Sequence, residues 1–352
     1  MDQTLLEIQE LHTTFFTREG EIHAVDGVTI EIGVGENVGI VGESGCGKSM
    51  TAMSVMGLLK KSGKIEKGSI LFDGRDLVTM SVKDRRKILG NEIAMIFQEP
   101  MTSLNPVITV GKQVQEALLL HNKGMSRSEA ECRVIDMFQL VGIPDAPKRY
   151  REYPHQLSGG LRQRVMIAMA MVCSPKLLIA DEPTTALDVT IEAQILHLMK
   201  QLQEEKKTAV MMITHNLGVV AQFCSRLYVM YAGKVMESGT VKEIFNYVCH
   251  PYTDGLIRSV PDMKSKERLY NIRGMVPSML HLPKGCRFCP RCQYSIAKCF
   301  EEEPQLYETS EGHFVRCFLY EPREKSLKEG SVIGKDMTKL EKTDQSKIGE
   351  DI

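Results

Sequence analysis

Gly42-Glu43-Ser44-Gly45-Cys46-Gly47-Lys48-Ser49 is the stretch whose reading decides this chain. Residues 38–41, Val-Gly-Ile-Val, predict a short buried strand before it, and residues 50–56, from Met50 onward, predict a helix behind it. Strand, glycine-rich loop and helix are the surroundings that a phosphate-binding loop requires. Its glycines let backbone N–H groups turn inward around a phosphate where side chains would block the approach. Lys48 has the reach to meet the β- and γ-phosphates, and the Ser49 hydroxyl suits Mg²⁺. The helix start adds its partial positive charge. Without those flanks, the same glycines and serines would amount to a flexible turn. With them, the stretch predicts a bound nucleoside triphosphate.

The rest of the composition bounds what such a chain can be. At 352 residues there is room for one large domain or two modest ones, with ample apolar content for a core. Lys and Arg together number 44 against 45 Asp and Glu, so no basic footprint marks the chain as a whole, and no nucleic-acid partner is expected. Residues 1–10 are acidic and amphipathic, unlike a secretory leader. The longest apolar run, residues 165–173, is far short of the ~20 that a membrane span needs. A soluble cytosolic protein is expected, reaching any membrane through partners. Ten cysteines in that compartment argue for buried thiols or metal ligation rather than disulfides.

Along the chain, residues 5–13 and 22–32 alternate as strands, with Gly33 and Gly35 as punctuation. Strands are also expected near 69–72, 92–97, 177–180 and 209–213, with a hairpin at 227–231 and 234–237. Residues 110–142 switch to helical period, and Ser158 opens a helix running to about 173. Alternating strands and helices imply a mostly parallel sheet covered on both faces. The organisation expected is a nucleotide-binding domain over 1–245 with a helical subdomain at about 100–173. A small Cys-rich domain would follow over 246–320, and a charged, disordered tail over 321–352.

Two further motifs carry chemistry. Residues 177–182, Leu-Leu-Ile-Ala-Asp-Glu, form an apolar strand ending in two acids. Asp181 is placed to hold Mg²⁺ through water beside the phosphate loop, and Glu182 to act on an attacking water as base or orienting group. Ser158-Gly159-Gly160 begins a helix with a good N-cap and two glycines that bare backbone N–H groups. That is a second phosphate-binding surface, serving either the same nucleotide or one on a partner.

GESGCGKS, then Gln98, LSGGL at 157–161, LLIADE, ALD at 186–188 and His215, in that order, resemble an ATP-binding cassette (ABC) transporter ATPase. The resemblance covers about residues 1–250. It implies an α/β P-loop NTPase of the ABC type, with Gln98 ligating Mg²⁺ and sensing a membrane partner. His215 would contact the γ-phosphate and Asp188 would lie in a dimer-contacting loop. Two such domains would close head to tail, each ATP held between one phosphate loop and the partner's Ser158, Gly159 and Gly160. Leu161 stands where the family more often has Gln. Phe16, or its neighbour Phe15, would stack on adenine. MIFQEPMTSLNP at 95–106, EPTTALDVT at 182–190 and HPYT at 250–253 are similar to the oligopeptide/dipeptide importers, a group that includes nickel importers. Membership would imply peptide import at the cytoplasmic face of the cell membrane. The partners would be a second, paralogous ATPase subunit, two permeases and an extracytoplasmic solute-binding protein.

Half of the cysteines crowd into one segment: Cys286, Cys289, Cys292, Cys299 and Cys317. The spacing suits either zinc or an iron–sulfur cluster. Several importers of this group carry a [4Fe–4S] cluster in a similar segment. That resemblance implies Cys286, Cys292, Cys299 and Cys317 as ligands, with Cys289 the spare.

Overall fold

The computed structural model describes residues 3–98, 103–185, 188–260 and 270–322. Residues 99–102, Ala186, Leu187 and the tail beyond 322 lie outside the described residues, and with them the readings made there.

Two long strands open the chain, β1 (Thr4–Thr17) and β2 (Gly20–Gly33), followed by β3 (Asn37–Val41) and α1 (Lys48–Met56). Then come β4 (Gly63–Phe72), β5 (Arg75–Asp76), α2 (Val82–Ile88) and β6 (Ile93–Ile96). Four helices follow: α3 (Val110–His121), α4 (Arg127–Leu140), α5 (Ala146–Arg149) and α6 (Gly159–Met171). The chain returns through β7 (Leu177–Asp181), α7 (Val189–Lys206), β8 (Ala209–Thr214) and α8 (Leu217–Phe223). It continues as β9 (Arg226–Tyr231), β10 (Lys234–Thr240), α9 (Val241–Asn246) and α10 (Pro251–Arg258). The described part closes with α11 (Ala297–Glu301), β11 (Tyr307–Ser310) and β12 (His313–Val315).

The strands form two sheets. The larger has the order β11-β12-β10-β9-β3-β8-β7-β6. Its centre, β9 through β6, is parallel. β7 and β8 are buried along their whole length, which is why they read as unbroken apolar runs rather than alternating ones. Alternation nonetheless sorts their side chains. Leu178, Ala180, Val210 and Met212 face a core shared with α3, α4, α6 and α7, whereas Leu177, Ile179, Met211 and Ile213 face α1 and the second sheet. That second sheet, β2-β1-β4-β5, is antiparallel and was not separated from the parallel one in the sequence. Tight connections create it: β1 runs straight into β2 around residues 18–19, and antiparallel neighbours need no crossover helix.

The segment expected as an appended Cys-rich domain is built into the main sheet and its core. β12 pairs with β10, and Cys286, Phe288, Cys289 and Cys299 pack against Leu227, Val229, Tyr231 and Tyr252. The odd-numbered face of β9 thus receives the C-terminal segment, while Tyr228 and Met230 point to the opposite core. The junction is locked by a buried acid. Glu237 accepts from the amides of Cys249 (2.8 Å) and His250 (3.0 Å) and pairs with His313 Nε2 at 2.9 Å.

Burial alone would hold His313 neutral, but its contacts with Cys249 and Glu237 outweigh that and raise its pKa to about 10. A raised pKa stabilises the fold fully below the ordinary imidazole value near 6.5 and loses that contribution as pH climbs through about 10. Denaturant titrations from pH 6 to 10 are expected to show this decline in the wild-type chain. His313→Gln should lower stability at pH 6 and flatten the decline; a variant that falls in parallel with wild type would remove His313 as its source.

Candidate nucleotide-binding and hydrolytic site

The glycine loop lies between β3 and α1, at the C-terminal edge of the parallel strands, where open α/β sheets collect ligands. Its backbone admits nothing larger at two positions. A Cβ on Gly42 (φ +153°) would sit 2.1 Å from the Met230 carbonyl oxygen, and one on Gly47 (φ +105°) 2.3 Å from that of Ala24. Gly45 faces open space but also has positive φ, +79°. The Lys48 ammonium is folded into the loop and donates to the carbonyls of Gly42 (2.7 Å) and Glu43 (3.1 Å). Cys46 Sγ lies 3.7 Å from the same ammonium. Ser44 sits in the bend, and Met50 packs its half-buried side chain against the core beneath α1.

Register brings the acids to this loop. β3 and β7 flank β8, so β7 ends level with the loop, and Ser49 Oγ donates to Asp181 Oδ1 at 3.1 Å. Burial raises the Asp181 carboxyl pKa, while the Ser49 hydrogen bond partly offsets this. A divalent cation would find a hydroxyl and a carboxylate already adjacent there, a donor set that fits Mg²⁺.

One residue on, the chain turns through a left-handed conformation at Glu182 (φ +47°). The Glu182 carboxylate becomes a hub. It accepts from Gln98 Nε2 (2.8 Å) and Thr185 Oγ1 (2.9 Å), and it meets His215 Nδ1 at 3.2 Å. Burial pushes its pKa up, but the hydrogen bonds from His215 and Thr185 outweigh that and hold the carboxyl below its ordinary value. Gln98 and His215 leave the ends of β6 and β8, the strands on either side of β7. Three consecutive strand ends therefore converge on one carboxylate.

Ser158, Gly159 and Gly160 do not join this cluster. Ser158 caps its own helix by accepting from the Leu161 amide (3.4 Å), Gly159 faces open space, and Gly160 lies against Ile191. Asp188 likewise caps α7, accepting from the Ile191 amide at 2.9 Å. The phosphate loop and the serine-led helix start are thus separate surfaces of one molecule. Between the two aromatics, Phe15 is a packing residue whose ring covers Gly63, whereas Phe16 is 45% exposed and available to stack on a base.

Several contributors were given no role in the site by the sequence. Thr185 reads as one of a polar pair, yet it orients Glu182. Gln163, buried in α6, donates to the Pro183 carbonyl at 2.5 Å and ties the signature helix to the acid turn. Tyr252 accepts from the Glu43 amide at 2.8 Å, across more than two hundred residues of sequence.

Beside β9, Cys286, Cys289, Cys292, Cys299 and Cys317 all line one cavity, and all are free thiols. Burial pushes Cys286 and Cys317 up to about 12, so as bare thiols both stay protonated. No helix among the described residues is long and apolar enough to cross a membrane.

The profile of the ABC transporter family matches residues 25–185, and that of the oligopeptide/dipeptide transporter C-terminal region matches residues 236–299. The chain is 52% identical to the oligopeptide transport ATP-binding protein AppD of Bacillus subtilis, over 90% of this chain and 97% of that one. It is 49% identical to the dipeptide transport ATP-binding protein DppD of Lactococcus lactis, over 92% and 93% of the two chains. Among solved structures, the dimeric ATP-binding cassette MJ0796, bound to ADP and Pi, superimposes with a TM-score of 0.61 at 29% identity. That match spans 67% of this chain and 99% of the other. Loop, acids and C-terminal segment agree with both profiles, and the chain belongs to the ABC transporter ATP-binding proteins, in the branch that carries the oligopeptide/dipeptide transporter C-terminal region.

Proposed function

We propose that this ATPase powers peptide import through partner permeases, and that Glu182 is the group that acts on the attacking water. The observation that carries the hydrolytic assignment is the convergence of Gln98, Thr185 and His215 on the Glu182 carboxylate, one residue from the Ser49–Asp181 pair. Lys48 and the loop amides would bind the phosphates, and Ser49, Asp181 and Gln98 would hold Mg²⁺. That ion would neutralise charge on the β- and γ-phosphates. The exposed start of α6 and Asp188 reach no residue of the loop in their own chain, which supports a head-to-tail pair in which Ser158, Gly159 and Gly160 complete the neighbour's site. The neighbour is a second ATPase subunit, a paralogue by the habit of this branch. Two membrane permeases and an extracytoplasmic solute-binding protein complete an assembly that this subunit joins at the cytoplasmic face of the membrane. Peptides as cargo rest on the named relatives; nickel or another small solute is the alternative within the same branch.

The five cysteines suit a [4Fe–4S] cluster held by Cys286, Cys292, Cys299 and Cys317, with Cys289 in reserve. Tetrahedral zinc, with Zn–S near 2.3 Å, would draw its sulfurs to about 3.8 Å from one another. Among the described residues, three ligand-type atoms gather within 4.8 Å at Glu237, Cys249 and His313 instead. That all five cysteines line one cavity supports a single shared centre there. Its contribution would be a cross-link across a segment with little core of its own.

The decisive experiment is capture of the intact assembly from membranes, in anaerobic buffer, followed by reconstitution into vesicles. Peptides, and not Ni²⁺, should stimulate its ATP hydrolysis, and the preparation should be brown and contain iron. Stimulation by Ni²⁺ alone would overturn the cargo, and a colourless protein with stoichiometric zinc would overturn the cluster.

A further inference from the structure

The nucleotide loop is gripped from outside by the cysteine-bearing segment. The sequence there alternates cysteines with two arginines: Cys286-Arg287-Phe288-Cys289-Pro290-Arg291-Cys292. Arg291 donates from Nη1 to Glu43 Oε2 at 2.5 Å and from Nη2 to Glu43 Oε1 at 3.0 Å, a two-pronged clasp on a residue inside the glycine loop. The guanidinium is itself held in place. It donates to the Arg273 carbonyl (3.0 Å) and the Tyr231 hydroxyl (3.3 Å), and it lies over the rings of Tyr231 and Phe288. Its side chain is 4% exposed. The same glutamate is fixed at its main chain, where its amide donates to Tyr252.

The second arginine acts on the other side of the loop. Arg287 donates to the Ala232 carbonyl and pairs with Asp26. The next residue, Gly233, donates its amide to the Cys46 carbonyl at 2.9 Å. Both flanks of the loop, at Glu43 and at Cys46, are therefore braced from one short segment, and every brace is charged or hydrogen-bonded.

A carboxylate in a loop that must wrap a polyphosphate is an electrostatic liability. Unpaired, Glu43 would repel the ligand and leave its stretch of backbone free to swing. Paired with a buried, preorganised guanidinium, its charge is cancelled and its position set, and only the planar fork of Arg makes both contacts at once. We propose that Arg291 is a positioning residue of the nucleotide site: it neutralises and anchors Glu43, and so makes ATP affinity depend on the conformation of the Cys286–Cys292 turn. This rests on reading residues 42–49 as the ATP loop.

The test is ATP binding by the purified full-length chain and its variants, and steady-state hydrolysis by each of them paired with the partner ATPase subunit. Arg291→Met leaves Glu43 charged and loose, and is expected to weaken ATP binding about tenfold, with KM rising and kcat at saturating ATP staying within about twofold. Adding Glu43→Gln to that variant removes the unpaired charge and should return the affinity to within about threefold of wild type. A residue that merely supported the fold would show no such recovery, because the packing loss at Arg291 remains. Arg291→Met binding ATP as wild type does, or a double variant as weak as the single, overturns the proposal. If Arg291→Met does not fold, Arg291→Lys with and without Glu43→Gln is read in the same way, with a smaller expected loss of about threefold. A wild-type chain that bound no ATP would instead overturn the reading of the loop, and this inference with it.

Discussion

Glu182→Gln is expected to bind ATP about as tightly as the wild-type chain and to hydrolyse it roughly 10²–10⁴-fold more slowly, the usual range for losing a general base. The amide matches the carboxylate in shape, so the turn at Glu182 and the contact with Thr185 can persist, and ATP contacts made by Lys48 and the loop are untouched. What disappears is the acceptor for the water's proton. With hydrolysis blocked, ATP should hold this chain to its partner ATPase subunit, so size-exclusion chromatography of the two subunits with ATP should show a heterodimer that the wild-type pair forms only transiently. Turnover at the wild-type rate would rule Glu182 out as the base. The sign of the pH dependence follows from its surroundings. A base acts ionised, and the hydrogen bonds from His215 and Thr185 prevail over burial to hold Glu182 below its usual 4.5. The acid limb of the rate profile assigned to this group should therefore fall below pH 4.5. His215→Ala, by removing one of those hydrogen bonds, should move that limb to higher pH; an unmoved limb would separate His215 from the titration of Glu182.

Lys48→Ala should lose ATP binding by about a hundredfold or more, since charge-assisted hydrogen bonds contribute roughly 1.5–3 kcal/mol each and the ammonium can offer two or three to the phosphates. In the present conformation the ammonium satisfies the carbonyls of Gly42 and Glu43 from inside the loop. Those carbonyls point inward at the position a phosphate must pass, so the lysine both shapes the loop and exchanges its partners on binding. Lys48→Ala consequently carries a second expectation: lower thermal stability without nucleotide, from two acceptors left to solvent. Lys48→Arg should not rescue affinity, because the larger planar head cannot enter a loop in which Lys48 is already buried, with 5% of the residue exposed. Titration with a fluorescent ATP analogue measures the first effect and calorimetry the second. Undiminished ATP affinity in Lys48→Ala would remove the phosphate role of this residue.

Much of the site was legible because its pieces are local. A loop that bends around phosphate needs glycines at set spacings and a lysine at the first position of the following helix, and all of these lie within eight consecutive residues. A strand buried on both faces must be apolar until it reaches the ligand edge, so Leu-Leu-Ile-Ala-Asp-Glu announces both its depth and its end. The family's order of motifs implied that Gln98 and His215 serve one nucleotide, but not that both meet at Glu182. Sequence separation hides that meeting, and what produces it is the parallel register of β6, β7 and β8. Which of Phe15 and Phe16 stays exposed was not legible in the sequence, because it depends on which ring covers Gly63.

The chain's own letters determined a glycine loop between strand and helix, of the kind that binds phosphates, and an apolar strand that ends in two acids, since each of these depends on backbone conformations that only certain residues adopt in short order. Tertiary structure alone decided that the cysteine segment belongs to the main sheet rather than to a domain apart, and that its arginines reach the glycine loop. Those outcomes depend on β12 docking along β10 and on a buried Glu237–His313 pair, contacts between residues that no local pattern relates. Charge and shape complementarity across such distances come into being only when the chain has folded.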